Sequence, residues 1–190
     1  MSKSRAIYRY FKKYEFTGGK ESMNVELQRV KLDDREILSN LLEKYDYEFS
    51  QYDNRDVNKL GLYGYQYLDY YWAEENRWAY FIVVDGNLAG FVMVIDMPEV
   101  DDRETDFQIS EFFVMYKYRR LGVGKQAFYK VLDIHKGKWQ LKRHPKNLSS
   151  VYFWNKVISE YTKGNYELVN SYPRTEYDDG TLADVFFFNS

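Results

Sequence analysis

The sequence predicts an α/β domain with a mixed, mainly antiparallel sheet of about seven strands flanked by helices. Apolar segments of strand length alternate with segments whose apolar residues recur at helical spacing, in the order β-α-α-β-β-β-α-β-α-β-β. Two of these segments, residues 78–84 and 88–97, are separated by Asp85-Gly86-Asn87, a tight-turn sequence that predicts an antiparallel hairpin. The length of 190 residues is typical of one domain.

The first half of the chain is predicted to supply one strand and two helices before the hairpin. Residues 24–31 carry alternating apolar side chains, which predicts the first strand. Asp33 or Asp34 then provides the N-cap of an amphipathic helix. Residues 50–76 mix short aromatic periodicities with glycines, which predicts a short second helix and loops. The apolar positions of the first helix are Ile37, Leu38, Leu41, Leu42 and Tyr45.

A loop, a strand, a helix and another strand are predicted after the hairpin. Residues 96–106 carry six carboxylates, one basic side chain and a proline, which indicates a loop. Residues 107–115 resume strand character, and a basic turn leads into a helix predicted over residues 124–135. Residues 138–143 predict the next strand, which Pro145 ends.

The last part of the chain is predicted to form one more helix and two strands. The helix begins near Ser149 and is ended by Gly164. The two strands are predicted at residues 166–171 and 182–189. The apolar face of the helix is formed by Val151, Trp154, Val157, Ile158 and Tyr161.

Composition excludes several classes of site. The chain has no cysteine, so it can form no disulfide, thiolate nucleophile or cysteine-ligated zinc site. The two histidines, His135 and His144, lie on different predicted elements, so a metal site is not expected. His135 is instead expected to place a favourable charge near the carboxyl end of a helix. The longest apolar stretch, Leu88–Ile95, is far shorter than the roughly 20 residues of a membrane span, and we expect a cytoplasmic protein without a membrane segment.

Charge is unevenly distributed along the chain. The whole chain has a formal charge of −2, but residues 1–22 carry six basic and two acidic side chains together with several aromatic rings. We therefore divide the chain into a basic aromatic leader, residues 1–22, and a folded domain, residues 23–190. Such a leader can contact nucleic acid through phosphate charge and base stacking, or it can be a frayed or helical extension. The acidic domain argues against extended nucleic-acid binding.

The chemically informative segment runs from Phe112 to Lys125 and is predicted as strand, basic turn and helix. Gly122 and Gly124 let the backbone approach a ligand closely, while free N–H groups of the turn and helix start converge on negative charge. The basic side chains of Arg119, Arg120 and Lys125 add countercharge. This arrangement favours a pyrophosphate group.

Two familiar phosphate-binding motifs fit this turn poorly. Gly122, Gly124 and Ala127 satisfy the dinucleotide fingerprint, but the turn lies midway along the chain and lacks an acidic residue about 20 positions later. A P-loop requires four residues between its glycines and Ser or Thr after its lysine, whereas Gln126 follows Lys125 here.

A third motif, R-x-x-G-x-G, fits residues 119–124 directly after a strand. It resembles the pyrophosphate-binding motif of the GNAT superfamily of N-acetyltransferases. Residues 147–154, Asn-Leu-Ser-Ser-Val-Tyr-Phe-Trp, are similar to the superfamily's N-x-x-[AS]-x-x-[FY]-[YW] segment, and the order of elements agrees over residues 24–190. The two motifs and the element order together identify a GNAT-like domain.

The resemblance implies an acetyl-CoA site, with acetyl-CoA as co-substrate. Backbone groups near Phe113 and Val114 would bind the pantetheine, and Asn147 would contact the cofactor, with a turn or capping role as the alternative for Asn147. Trp154 occupies a cofactor-side position that is Tyr in many family members. The pyrophosphate turn would comprise Arg119, Arg120, Leu121, Gly122, Val123, Gly124 and Lys125.

The resemblance also implies direct attack of an amine on the thioester. Glu111, on the strand before the turn, is the candidate base, and N–H groups near Val114 would stabilise the oxyanion. Because the indole of Trp154 cannot act as an acid at neutral pH, water is the default proton source for the thiolate. Aromatic side chains and scattered acids suit a cationic amine acceptor. The tyrosines expected near that acceptor are Tyr45, Tyr47, Tyr52, Tyr67, Tyr70 and Tyr71.

The acceptor itself stays open at this stage. A small amine, a polyamine and a protein or peptide amine all fit, in a monomer or homodimer. Two readings from other functional classes also remain: a non-catalytic sensor that binds acyl-CoA, and a nucleic-acid-associated module that uses the leader.

Overall fold

The computed structural model describes residues 23–190, which form one seven-stranded sheet with helices on both faces. This confirms the predicted fold class and order of elements. The leader, residues 1–22, lies outside the described residues. The strands are β1 (Val25–Arg29), β2 (Arg77–Val84), β3 (Asn87–Ile95), β4 (Phe107–Val114), β5 (Lys138–Arg143), β6 (Tyr166–Val169) and β7 (Asp184–Asn189), and the helices are α1 (Arg35–Asp53), α2 (Tyr70–Ala73), α3 (Val123–Ile134) and α4 (Leu148–Thr162).

The hairpin turn and most element boundaries agree with the sequence prediction to within one or two residues. Asp85 and Gly86 both have positive φ, 49° and 77°, as a two-residue hairpin turn between β2 and β3 requires. The largest difference is at α1, which continues to Asp53 and so enters residues 50–76, the segment predicted as a short second helix and loops. In the final strands, Ser171 has a φ of 52° and β6 ends two residues earlier than predicted, at Val169.

The strands are arranged in the order β1-β2-β3-β4-β5-β7-β6. Every neighbouring pair is antiparallel except β4 and β5, which are parallel. Their pairing covers only Phe107–Ile109 of β4, which lies opposite Trp139–Leu141 of β5. Because β4 continues to Val114, its last five residues have no strand partner on the β5 side among the described residues. This unpaired edge of β4 opens one side of the sheet.

A β-bulge interrupts β4 just where this pairing ends. Met93 of β3 lies opposite Glu111, whereas the next residue, Val94, lies opposite Ile109, so Ser110 is the extra residue. A bulge changes which way the following side chains point. Glu111 therefore shares a face of the sheet with Phe113, two residues further on.

Each face of the sheet is covered by its own apolar core. Helix α1 and the α2 region pack against one face, where Leu38, Leu42 and Phe113 join a single cluster. Helices α3 and α4 pack against the other face, where Phe128 and Trp154 join a second cluster. The end of β4 thus contributes side chains to both layers, which positions it between them.

His135 differs from the sequence expectation. It follows α3 and is buried beside Trp78 and Phe107, with Nε2 2.9 Å from the hydroxyl of Tyr80. Burial lowers the pKa of His135 to about 4, so the ring is neutral at physiological pH. The prediction of a favourable charge at this helix end is wrong, because desolvation outweighs the helix dipole here.

Within residues 23–190, no cluster of three or more His, Asp or Glu side chains is placed to hold a metal ion. The helices of the described part of the chain include none that is long and apolar enough to cross a membrane.

Candidate active site

A large cleft opens beside the unpaired edge of β4. Its walls come from β4, from the starts of α3 and α4, from the second half of α1, and from the loop around residues 63–67. Ten of the twelve sequence-predicted site residues line it. The other two do not: Leu121 is half exposed, and Val123, the first residue of α3, is buried in the apolar core. The ten are Glu111, Phe113, Val114, Arg119, Arg120, Gly122, Gly124, Lys125, Asn147 and Trp154.

The two glycines of the turn are required for different reasons. Gly122 is the N-cap of α3 with φ of +83°, a left-handed conformation, and a Cβ placed there would meet nothing within 4 Å. At Gly124 an added Cβ would lie 3.2 Å from the ring of Phe153 on α4. Gly122 therefore sets the backbone of the turn, and Gly124 sets the close approach of α3 to α4.

The start of α3 gives the cleft a basic end. The first N–H groups of a helix have no intrahelical acceptor, and the helix dipole adds partial positive charge there. Arg120 and Lys125 of this segment line the cleft, as does Lys156 of α4. Lys125 also forms an exposed ion pair with Glu160, at 2.6 Å.

Arg119 is held by the protein itself. Its Nη1 and Nη2 atoms each donate to a carboxylate oxygen of Glu48 on α1, both at 2.6 Å, and its Nε donates to the carbonyl of Val114 at 2.6 Å. The guanidinium also lies 4.1 Å from the ring centroid of Tyr116. All three nitrogens are thus engaged, so Arg119 fixes the turn against α1 and β4.

Glu111 lies where the bulge, the unpaired edge and the aromatic wall meet. The hydroxyl of Tyr65 donates to its Oε1 at 3.1 Å. Burial raises the pKa of Glu111 to about 7, while the phenols of Tyr45 and Tyr65 act in the opposite direction and the charge of Asp46 raises it further. A carboxylate with this pKa can accept a proton near neutral pH.

The N–H group of Val114 points toward the cleft. The N–H of the next residue, Met115, donates to the carbonyl of Ala89 at 2.8 Å and so points toward β3. Because successive N–H groups of a strand point to opposite sides, that of Val114 points away from β3.

Asn147 and Trp154 both have structural contacts of their own. The side chain of Asn147 caps α4 by accepting a hydrogen bond from the N–H of Ser150 at 3.1 Å. Trp154 is 6% exposed, and its ring centroid lies 4.7 Å from that of Phe153 and 5.1 Å from that of Phe112. Trp154 is therefore mainly a core residue with one edge on the cleft.

The aromatic wall agrees only in part with the sequence expectation. Tyr47 and Tyr70 are exposed and do not line the cleft. The other four predicted tyrosines, Tyr45, Tyr52, Tyr67 and Tyr71, do line it. Sequence reasoning missed Asp46, Phe49, Tyr63, Tyr65 and Tyr177, which also line the cleft. No local motif distinguishes them, because α1, the loop that follows it and the segment before β7 meet only in the folded chain.

Comparison with known proteins places this architecture in a family. A model described as "Acetyltransferase (GNAT) family" matches residues 37–158, well over half of the chain. The chain belongs to the GNAT acetyltransferase family. This confirms the resemblance inferred from residues 119–124 and 147–154, and the protein is an acyltransferase that uses a CoA-based acyl donor. No curated protein matches this GNAT chain.

Solved GNAT structures share the fold at low sequence identity. An acetyltransferase from Streptococcus agalactiae is 16% identical with a TM-score of 0.64, over 87% of this chain and 95% of that chain. An acetyltransferase from Thermus thermophilus is 13% identical with a TM-score of 0.62, over 89% and 99%. A spermidine N-acetyltransferase from Vibrio cholerae, in complex with CoA and spermine, is 13% identical with a TM-score of 0.57, over 87% and 95%.

Proposed function

We propose that this GNAT enzyme transfers the acetyl group of acetyl-CoA to a primary amine, with Glu111 as the general base. The observation that supports this most strongly is the position of Glu111, at the bulge where the unpaired edge of β4 begins. An amine bound there would lie beside both a proton acceptor and the strand edge expected to bind the thioester.

The unpaired edge of β4 and the basic end of the cleft suit the acyl donor. Backbone groups of β4 near Phe113 and Val114 that face away from β3 can hydrogen-bond the pantetheine as a neighbouring strand would. The N–H groups of residues 122–125 and the cations of Arg120 and Lys125 can bind the pyrophosphate. Arg119 holds the turn in place, and Asn147 and Trp154 support the adjoining start of α4.

The proposed reaction is a direct transfer between the two substrates. Glu111 accepts one proton of the bound ammonium, and the neutral amine then forms a C–N bond to the acetyl carbonyl while the C–S bond breaks. The nitrogen releases its second proton to water as the amide forms. The N–H of Val114, which faces away from β3, would stabilise the negative charge that develops on the carbonyl oxygen. The departing thiolate takes a proton from water, because Trp154 carries no acidic group.

An amine acceptor is further supported by the aromatic and acidic wall around Glu111, and by the spermidine N-acetyltransferase among the proteins of the same fold. The acceptor of that protein is its own, so the shared fold supports an amine in general and no particular amine.

Free-thiol release from acetyl-CoA over a library of primary amines tests the proposal. We expect release with at least one amine and a large loss of kcat/KM in Glu111→Gln. Glu99→Gln is the matched control, since Glu99 is another carboxylate of the cleft wall but is paired with Lys142 at 2.6 Å. A chain that binds acetyl-CoA in a thermal-shift assay but releases no thiol with any amine would instead be an acyl-CoA sensor.

A further inference from the structure

The end of the cleft near α1 carries more carboxylates than cations. Asp46 of α1 and Glu111 line this end, and two further carboxylates of α1, Asp53 and Glu43, bind residues that line it. We call these four carboxylates the acidic end. One guanidinium, that of Arg55, is shared between Asp46 and Asp53, with its nitrogens 2.9 Å and 2.5 Å from their carboxylate oxygens. Glu43 is bound by the backbone N–H groups of residues 63 and 64, which carry no net charge. The acidic end therefore has an excess of negative charge.

Asp46 has one carboxylate oxygen that the protein does not satisfy. Its Oδ1 accepts the hydrogen bond from Arg55, but its Oδ2 has no hydrogen-bond partner within residues 23–190. Asp46 is 2% exposed, yet it lies in the wall of the cleft. A buried carboxylate oxygen without a donor is costly, since it has lost water and gained nothing in exchange. A cationic donor brought by a ligand would remove that cost.

The surrounding wall is suited to an alkylammonium group. Three tyrosines line the cleft here: Tyr45, Tyr63 and Tyr65. Tyr45 precedes Asp46 in the chain, and Tyr65 donates a hydrogen bond to Glu111. Arg55 already lies 5.9 Å from the ring centroid of Tyr63, so this wall accommodates a cation beside an aromatic ring. The rings also provide an apolar surface for a methylene chain.

We infer that the acceptor is an alkyl diamine or longer polyamine, with one amine at Glu111 and a second, protonated amine donating to Oδ2 of Asp46. This inference rests on the proposed function and names the acceptor class for the same site. Asp46 is then a specificity-determining residue, which binds the charge that does not react. The cations at the basic end of the cleft would bind the phosphates of acetyl-CoA instead.

A matched pair of acceptors tests the inference in the unmodified protein. 1,5-Diaminopentane and 5-amino-1-pentanol have the same reacting amine and nearly the same length, but only the first carries a second ammonium. We expect kcat/KM to be roughly tenfold to a hundredfold higher for the diamine, the range for a hydrogen bond between charged groups. Diamines of three to six carbons show which length fits.

Two variants then assign the preference to Asp46. In Asp46→Asn we expect the ratio of kcat/KM for the diamine to kcat/KM for the amino alcohol to fall close to one. Loss of the Asp46 charge also changes the pKa of Glu111, but that change acts on both acceptors and cancels in the ratio. Asp53→Asn is the control, because Asp53 binds the same guanidinium and is also buried but does not line the cleft. We expect it to keep the preference.

The outcomes separate this inference from the proposed function. Equal kcat/KM for the two acceptors in the unmodified protein overturns the diamine assignment while amine acetylation still stands. If Asp46→Asn and Asp53→Asn lose the diamine preference equally, the role of Asp46 is overturned. Displacement of Arg55, which both carboxylates bind, would then be the common cause. Absence of thiol release with every amine overturns the proposed function itself. The acceptor comparison needs no variant, so poor folding of Asp46→Asn does not weaken it.

Discussion

Arg119 and Glu48 form a two-point ion pair that joins the turn before α3 to the middle of α1. Both nitrogen–oxygen distances are 2.6 Å, and each side chain is only about one quarter exposed, 28% for Arg119 and 25% for Glu48. A partly buried, bidentate pair of this kind fixes geometry more strongly than a single surface contact. The ion pair therefore connects the proposed donor end of the cleft with the helix that forms its acceptor end.

Glu48→Gln should weaken acetyl-CoA binding by about threefold to tenfold, because the turn loses one of its two anchors while the bond from Arg119 to Val114 remains. Isothermal titration calorimetry with acetyl-CoA measures this. Glu160→Gln is the control, since it breaks the exposed ion pair with Lys125, and exposed ion pairs contribute little to stability. Tighter binding in Glu48→Gln would show that Arg119, once released, is a phosphate ligand.

Gly122→Val and Gly124→Val should both reduce acetyl-CoA affinity, with different effects on stability. Valine at position 122 must adopt a φ of +83°, which strains the turn by about 1–2 kcal/mol. Valine at position 124 must push the ring of Phe153 away, which disturbs the contact between α3 and α4. Thermal unfolding with and without acetyl-CoA separates the two effects, and wild-type affinity in both variants would place the pyrophosphate elsewhere.

Glu111→Gln should lower kcat/KM by roughly 100-fold or more at neutral pH, the usual scale for the loss of a general base. In the unmodified enzyme, kcat/KM should fall as the pH drops below about 7, because burial raises the pKa of Glu111 to about 7 and the protonated carboxyl cannot accept a proton. The acidic limb of the pH–rate profile should be absent from the variant. An acidic limb that persists unchanged would assign that ionisation to another group.

Because its pKa is raised, ionisation of Glu111 at high pH destabilises the folded protein. The folded-state pKa of about 7 lies above the ordinary value of 4.5, so folding favours the protonated carboxyl. Its contribution to stability is complete below about pH 4.5 and is lost as the pH rises through about 7. Glu111→Gln should therefore raise the Tm relative to the unmodified protein more at about pH 8 than at about pH 5, as thermal denaturation at the two values can show.

Trp154→Phe should lower the free energy of unfolding by about 1–2 kcal/mol, because a smaller ring fills less of the space between Phe112, Phe128 and Phe153. The pH dependence of kcat should not change, since the indole exchanges no proton at neutral pH. Urea denaturation and a kcat profile measure the two quantities. If a basic-limb ionisation disappears from that profile while folding and donor affinity are intact, water is not the acid for the thiolate.

Deletion of residues 1–22 should leave acetyl-CoA affinity nearly unchanged. Every proposed donor contact lies within residues 113–154, and β1 begins only at Val25. Calorimetry on the shortened and full-length chains tests this. A shortened chain that fails to fold would make the leader part of the domain.

Local sequence patterns were sufficient for the family and for most of the fold. The hairpin turn at Asp85-Gly86 requires only neighbouring residues with positive φ, and the helical face of α4 follows from spacing within 15 residues. The R-x-x-G-x-G turn is also local, since strand, turn and helix are consecutive. These features could be predicted because the interactions that specify them lie close together in the chain.

The chemistry around Glu111 was decided by tertiary structure. The bulge at Ser110 depends on the register between β3 and β4, and nothing in the β4 sequence alone specifies that register. Tyr65 and Glu111 are 46 residues apart, and Arg119 and Glu48 are 71 apart. Periodicity reports which face of an element is apolar, but it does not report which distant side chain shares a cavity. The sequence alone therefore determined the fold and the R-x-x-G-x-G turn. Packing of α1 against β4 decided the pKa of Glu111, the anchoring of Arg119 and the unpartnered oxygen of Asp46, because each depends on burial and on contacts between distant segments.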